Sequence, residues 1–248
     1  MKILRIYSII VSVLIVFVIW KALEYRKSAN NFLSKYEFYV DHFGQRDRFI
    51  FENETLRSDR IVDNRIVFIG SQVINHWDLH YSFEGYETIN RGIEHQLAPA
   101  MLLRYSSDVL KLKPQYVVIE VSSYNFRPNY EMGQLIESTE AMALLARSQQ
   151  IEPIITTIIP PRSDITFDPD CLECPDYAIL DSIDIYNQTI KSFAAENNFA
   201  LSDWNNLLAN PSGFFYENYA ASVIEPNEQG YEILSLDILR IISGSEPD

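Results

Sequence analysis

The feature that most constrains the fold of this chain is an alternation of short apolar segments with longer amphipathic ones, beginning at Arg65. The short segments are rich in β-branched residues, as strands are. The longer ones repeat apolar residues at intervals of three and four, the spacing of one helix face. Strands that alternate with helices form a parallel sheet through right-handed crossovers, with helices on both faces. The sequence therefore predicts an α/β fold, a three-layer α/β/α sandwich, with the strands RIVFIG, ETIN, QYVVIEV, EPIITTIIP and FALSDW.

In a sheet of this kind, ligands bind in the crevice outside the carboxyl ends of the strands. Functional residues are therefore expected in the segments that directly follow the predicted strands. These are the Ser71-Gln72 turn, Gly92, the run from Ser122 to Asn125, and the loop before the last predicted helix, EQGYEILSLDILRII.

The N-terminus carries an uncharged apolar run from Ile6 to Trp20, with Lys2 and Arg5 before it and Lys21 after it. As a helix, this run covers about 22 Å, which is short of the roughly 30 Å of a bilayer core. A helix from Met1 to Leu23 can span the bilayer if the lysine side chains near its ends reach the membrane interface. No small-x-small cleavage site follows the run, so a signal anchor is favoured over a cleaved signal peptide or a buried helix.

Three parts are thus predicted along the chain: a transmembrane signal anchor at 1–27, a helical stalk or lead-in at 28–63, and the α/β domain at 64–244. Export of the domain is the default for such an anchor, so a single-pass membrane protein with an extracytoplasmic C-terminal domain is expected. Basic residues flank the apolar run on both sides, which leaves the orientation open.

The chain beyond residue 27 is strongly acidic. The first 27 residues hold five of the 20 Lys and Arg and one of the 34 Asp and Glu, which leaves 15 basic and 33 acidic residues. A domain with this charge repels phosphate backbones, so a nucleic acid partner is not expected.

Two cysteines, Cys171 and Cys174, lie close together in DPDCLECPD. Such a pair can be half of a zinc site, a redox pair or a small disulfide. The chain has no second pair of cysteines for a four-cysteine zinc site, and the segment lacks the helix-opening context of a thioredoxin. In an exported domain, a local disulfide is the favoured interpretation. Neither a metal site nor a cofactor is predicted, because the sequence has no glycine-rich phosphate loop and no His-Glu-x-x-His motif.

Four blocks in order resemble the SGNH, or GDSL-type, hydrolases over roughly Arg65 to Ile242. The segment IVFIGSQVINHW is similar to the first block in its Gly-Ser-Ser-x-Ile-x-x-Trp version. The second block, whose glycine lends an N–H to the oxyanion hole, resembles INRGIEHQ. The third resembles KPQYVVIEVSSYNF, and the last, normally Asp-x-x-His before a Gly-Tyr helix, resembles SVIEPNEQGYEIL. The resemblance implies a flavodoxin-like five-stranded sheet.

The departures from the family fall on its catalytic positions. The family's serine nucleophile, asparagine, aspartate and histidine correspond to Gln72, Tyr124, Ser222 and Glu225, and Gly92 is retained. A one-residue shift would instead put Asn125 in the asparagine place. Because an amide forms no acyl intermediate and the loss of triad members costs about 10⁴-fold or more in rate, the resemblance predicts a degenerate, non-hydrolytic site.

The predicted role is a binding or scaffold component, with an unknown ligand or protein partner in the cell envelope. Related domains act in O-acetylation of envelope polysaccharides, so a link to cell-envelope glycans is implied by the resemblance. The former active-site cleft would be ringed by Ser71, Gln72, Gly92, Ser123, Tyr124, Ser222 and Glu225.

Two alternatives remain open. The first is an active esterase, acyl hydrolase or O-acetyltransferase with a relocated site, in which Ser71 or Ser123 lies within hydrogen-bond reach of His76 or His95. The second is a structural subunit of a membrane complex whose cleft is simply filled by side chains.

Overall fold

The chain divides into two compact units, 1–44 and 45–248, and the computed structural model describes residues 2–42, 44–126, 131–163 and 178–244. The first unit is one long helix, α1 (Lys2–His42). Side chains of α1 are described at Tyr7 and over 11–33, and all of those from 11 to 20 are exposed. Within the described part of the chain, no helix combines the length and the apolar character needed to cross a membrane.

The second unit alternates strands and helices, as the periodicity predicts. Its elements are α2 (Ile50–Leu56), β1 (Val62–Gly70), α3 (Gln72–Asn75), α4 (Leu79–Ser82), β2 (Glu87–Gly92), α5 (Ala98–Asp108), β3 (Pro114–Ile119), α6 (Met132–Ser148), β4 (Glu152–Thr156), α7 (Ala178–Asn197), β5 (Ala200–Ser202), α8 (Trp204–Leu208) and α9 (Glu228–Ser243). Single 3₁₀ turns lie at Leu110–Leu112, Ser123–Asn125 and Glu217–Tyr219.

The described residues form one five-stranded sheet in the order β2-β1-β3-β4-β5, and every neighbouring pair is parallel. This is the flavodoxin-like order, so the predicted sheet is confirmed. At the carboxyl edge, Gly70 of β1 pairs with Gly92 of β2, and Ile69 pairs with Ile119 of β3. The segments that follow these three strands therefore start side by side.

Strand β1 supplies both layers of the core, because its side chains alternate between the faces of the sheet. Val67 and Ile69 belong to the cluster that includes residues of α5, α6 and α7. Ile66 and Phe68 belong to the opposite cluster, with residues of α3, α8 and α9. All four are fully buried, and the three-layer arrangement is confirmed.

The last two strands are shorter than predicted. EPIITTIIP contributes only Glu152–Thr156, because Thr156 is the last residue of β4 that pairs with β5, opposite Ser202. FALSDW contributes only Ala200–Ser202, because the Asp203 side chain accepts the N–H of Asn206 and begins α8. Asp203 caps α8 and thus ends the strand at Ser202, before the end that the apolar pattern predicts.

Candidate functional site

The turn after β1 holds Ser71 and Gln72 at the carboxyl edge of the sheet, and both side chains are buried. Gly70 precedes them where the chain passes against β3. A Cβ at Gly70 would overlap the Glu120 carboxylate and the Ile74 side chain, so only glycine fits there.

Ser71 is bound by a carboxylate rather than by a histidine. Its backbone N–H donates to Glu120 Oε2 at 2.6 Å, and its Oγ–H donates to Oε2 at 3.0 Å or to Oε1 at 3.2 Å. Burial raises the pKa of Glu120 to about 7, although the two donors from Ser71 act in the opposite direction. Ser71 is therefore a fully enclosed partner of Glu120.

Glu120 is a site residue that the sequence reasoning missed. It follows β3 directly, and its own N–H donates to the carbonyl of Ile69 at 2.9 Å, which fixes the backbone next to β1. The available signal was a single acidic residue within the otherwise apolar QYVVIEV, where a charge is costly unless it is paired.

Gln72, which the resemblance aligns with the family's nucleophile, is 2% exposed. Its Oε1 accepts the backbone N–H of His95 at 3.4 Å, which connects the turn after β1 to the loop after β2. The His95 ring in turn lies 4.6 Å from the Tyr124 ring, between centroids, in the turn after β3. Gln72 thus serves as a connector inside the former cleft, and an amide offers no nucleophile there.

Gly92 is needed for close packing. A Cβ on it would overlap the backbone of Asn75. Its N–H, the expected oxyanion donor, donates to Asn90 Oδ1 at 2.8 Å. Asn90 also donates from Nδ2 to the carbonyl of Ile74 at 2.6 Å, so this amide holds α3 against β2.

The turn after β3 uses its asparagine internally. Asn125 is fully buried; its Oδ1 accepts the N–H of Ala98 at 2.9 Å, and its Nδ2 donates to the carbonyl of Ser122 at 3.1 Å. Asn125 therefore fixes the start of α5 instead of facing a substrate. Ser123 is buried, and Tyr124 is half-buried.

The loop before α9 brings Glu225 next to His76. Glu225 Oε1 lies 3.1 Å from His76 Nδ1, and Glu94 Oε1 lies 3.3 Å from His76 Nε2. Both ring nitrogens thus face carboxylates, and Ser71 is bound elsewhere. Ser222 donates its N–H to the carbonyl of Glu225 at 3.3 Å, which places its backbone in this loop but gives its side chain no role.

The first and last blocks are joined by aromatic packing. Tyr231, near the start of α9, stacks on Trp77 with ring centroids 5.0 Å apart and donates its hydroxyl to the carbonyl of Val73 at 2.8 Å. Burial first, and then the charges of Glu225 and Glu120, raise the pKa of Tyr231.

A small cavity of about 10 Å³ lies at the ends of β3, β4 and β5. It is lined by Val73, Glu120, Val121, Ser122, Ser123, Thr157, Ile159, Trp204 and Ile224. Of the seven residues predicted for the former cleft, Ser123 is among the lining residues, and Ser71, Gln72, Gly92, Tyr124, Ser222 and Glu225 are not.

Metal binding finds no support in the described residues, where no group of three or more His, Cys, Asp or Glu is placed to hold an ion. Cys171 and Cys174 lie outside the described residues, so their pairing stays a prediction.

Comparisons with known proteins give a consistent picture of the fold. No family model and no curated protein matches the chain. Among solved structures, a GDSL-like lipase from Bacteroides thetaiotaomicron has a TM-score of 0.70 and 24% identity, covering 83% of this chain and all of its own. A candidate acylhydrolase from Bacteroides fragilis has a TM-score of 0.68 and 23% identity, covering 80% and 96%. A catalytic mutant of an acetylxylan esterase from Geobacillus stearothermophilus has a TM-score of 0.56 and 16% identity, covering 73% and 95%.

These neighbours have the architecture described above. They are named as a lipase, an acylhydrolase and an esterase, which are activities of the hydrolase family that the four sequence blocks resemble. Identities below one quarter support a statement about architecture and not about activity. The chain thus has the fold of the SGNH, or GDSL-type, hydrolases.

Proposed function

We propose that this protein is a non-hydrolytic SGNH-fold domain that acts as a membrane-anchored scaffold component. The proposal rests on Gln72, a buried amide at the position that the resemblance of the first block aligns with the family's serine nucleophile. Neither acyl transfer nor water activation is available to a neutral amide.

A relocated nucleophile is disfavoured by the environment of Ser71. An attacking hydroxyl needs a base to take its proton and a free approach for the carbonyl carbon. The Ser71 hydroxyl donates to the Glu120 carboxyl group, but Ser71 is fully buried, so a carbonyl carbon has no free approach to it. His76, the nearest candidate base in sequence, has its two nitrogens beside Glu94 and Glu225.

Stabilisation of an oxyanion is disfavoured because the groups that could donate to it already have partners within the domain. Preorganised donors must point at the position where the negative charge develops. The N–H of Gly92 donates to Asn90, and the amide of Asn125 binds the backbone of Ala98 and Ser122. Each group that survives from the catalytic blocks has therefore become part of the internal packing.

A scaffold role is favoured over ligand binding in the former cleft. Gln72 and Ser123 are buried, and Tyr124 packs on His95. Such contacts fill the space between the turns after β1, β2 and β3. The partner would then recognise the outside of the domain, as expected for a structural subunit.

Membrane attachment through α1 and an extracytoplasmic location of the domain belong to the same proposal. They are supported by the apolar run Ile6–Trp20 between basic residues and by the exposure of the apolar side chains from Val13 to Trp20. A helix that is apolar all round is typical of a membrane or of a buried position. A place in envelope glycan assembly is part of the proposal and rests on the resemblance of the sequence blocks alone.

The first test is hydrolysis of short-chain p-nitrophenyl esters by the full-length protein. We expect a rate equal to that of buffer, unchanged in Ser71→Ala and in the exposed control Ser192→Ala. Activity that disappears in Ser71→Ala and persists in Ser192→Ala would overturn the proposal and identify Ser71 as the nucleophile.

The anchor is tested separately by fractionation of cells that express the full chain. We expect the protein in the membrane fraction, resistant to extraction by high salt and released by detergent. Recovery in the soluble fraction would contradict the anchor without affecting the assignment of a non-hydrolytic domain.

A further inference from the structure

Ser122 and Trp204 both line the small cavity at the ends of β3, β4 and β5, and each carries a buried hydrogen-bond donor. Trp204 is fully buried and Ser122 is 4% exposed. Within the described residues, neither Trp204 Nε1 nor Ser122 Oγ has a hydrogen-bond partner. Buried polar atoms without a partner are rare in folded proteins, because they have lost water and gained nothing in exchange.

The two donors share their cavity with the Glu120 carboxyl group. The Ser71 donors reach Glu120 from the side of β1, and a carboxylate has about four lone-pair positions. Glu120 can therefore accept a further hydrogen bond from the cavity. Two donors and one acceptor thus line the same small space.

Thr157 is a further polar residue of the cavity wall. Thr157 Oγ1 donates to Asp203 Oδ1 at 2.9 Å and accepts the N–H of Asn205 at 2.9 Å, so it is already engaged. Ser123 also lines the cavity, and Val73, Val121, Ile159 and Ile224 contribute apolar side chains.

We propose that this cavity is a binding site for one water molecule, held by Trp204, Ser122 and Glu120. The water accepts the indole N–H and the serine hydroxyl, and it donates to the Glu120 carboxyl group. Buried waters make about three such bonds, and a space near 10 Å³ is close to the least that holds one. A sugar ring or an acyl chain is too large for it.

The water site does not depend on whether the protein hydrolyses esters. Water suits it better than a fixed side-chain donor, because a water molecule can turn to donate or accept. It can therefore bridge Glu120 whether that carboxyl group is charged or protonated. The water would thereby connect β3 to the start of α8, across the end of β4.

The decisive measurement is a crystal structure of the full-length protein at a resolution that shows ordered waters. We expect one oxygen within hydrogen-bond distance of Trp204 Nε1, Ser122 Oγ and a Glu120 carboxyl oxygen. A side chain from 127–130 or 164–177 in that position, or an empty cavity, would overturn the proposal.

A second measurement uses the indole N–H signals of the full-length protein, with Trp204→Phe for assignment. We expect a nuclear Overhauser contact between water and the Trp204 N–H that persists in Ser122→Ala, where no serine hydroxyl can relay it. The contact should be lost in Ser122→Val, whose larger side chain fills the cavity.

Trp77 is the buried control. Its Nε1 donates to Ser82 Oγ at 2.9 Å, and its signal should be unaffected by either Ser122 variant. Absence of the contact in the native protein would mean that no water is held.

Discussion

Ser71 donates both its backbone N–H and its hydroxyl to the carboxyl group of Glu120, 49 residues away in sequence. This pairing connects the end of β1 to the end of β3 and encloses both residues. It leaves the serine at the turn without access to a substrate, and it leaves a titratable acid within the core.

Glu120 makes the stability of the fold depend on pH in a definite direction. Burial raises its pKa from 4.5 to about 7 in the folded protein. The folded state then binds more protons than the unfolded state between these values, so the free energy of unfolding falls as the pH rises through this window and levels off above it. The full effect amounts to about 3 kcal/mol.

Replacement of Glu120 by glutamine should remove this dependence. Urea unfolding at about pH 5 and about pH 8 would compare Glu120→Gln with the native protein and with the exposed control Glu84→Gln. Between the lower and the higher pH, we expect the free energy of unfolding to fall less in Glu120→Gln than in the native protein and in Glu84→Gln. Parallel pH dependences in all three proteins would contradict a titrating Glu120.

Gly92 should tolerate no side chain. In Gly92→Ala, the added Cβ overlaps the backbone of Asn75, which cannot move away from the sheet easily. We expect a loss of about 1–3 kcal/mol or more in the free energy of unfolding. Gly133→Ala is the matched control: this helical glycine has open space around it, so alanine should add about 0.5–1 kcal/mol. Equal stabilities of the two variants would show that Gly92 is not closely packed.

The Tyr231 hydroxyl should contribute to stability independently of its ring. Tyr231→Phe keeps the stacking on Trp77 and loses the hydrogen bond to the carbonyl of Val73, which should cost about 1 kcal/mol. Tyr81→Phe, at an exposed position, should leave the unfolding midpoint unchanged. A native-like midpoint for Tyr231→Phe would mean that water replaces the lost bond.

Restoration of two family residues should not restore hydrolysis. Gln72→Ser combined with Glu225→His supplies a nucleophile and a base, but the Gly92 N–H still donates to Asn90, and Asn125 still binds backbone groups. We expect p-nitrophenyl ester turnover close to that of buffer, since removal of one oxyanion donor alone costs about 10²–10³-fold. Substantial turnover by the double variant would show that these groups are free to stabilise an oxyanion.

The periodicity of the sequence was sufficient to predict the sheet, because each strand and helix carries its own apolar pattern. The correspondence of Gln72 to the family's nucleophile position rests on the order of the blocks and stays a prediction. The pairing of Ser71 with Glu120 could not be predicted, because it depends on how closely the ends of β1 and β3 approach. The hydrogen bond from Gly92 to Asn90 likewise depends on a side-chain orientation that no residue pattern encodes.

The bond from Tyr231 to Val73 has a consequence for the order of folding. Tyr231 and Val73 are 158 residues apart in the sequence. A contact of such long range forms late, because closing the intervening chain costs conformational entropy. We expect this edge of the sheet to be completed last, when α9 docks. During synthesis, the segment around Val73 and Trp77 would therefore wait for α9 to leave the ribosome.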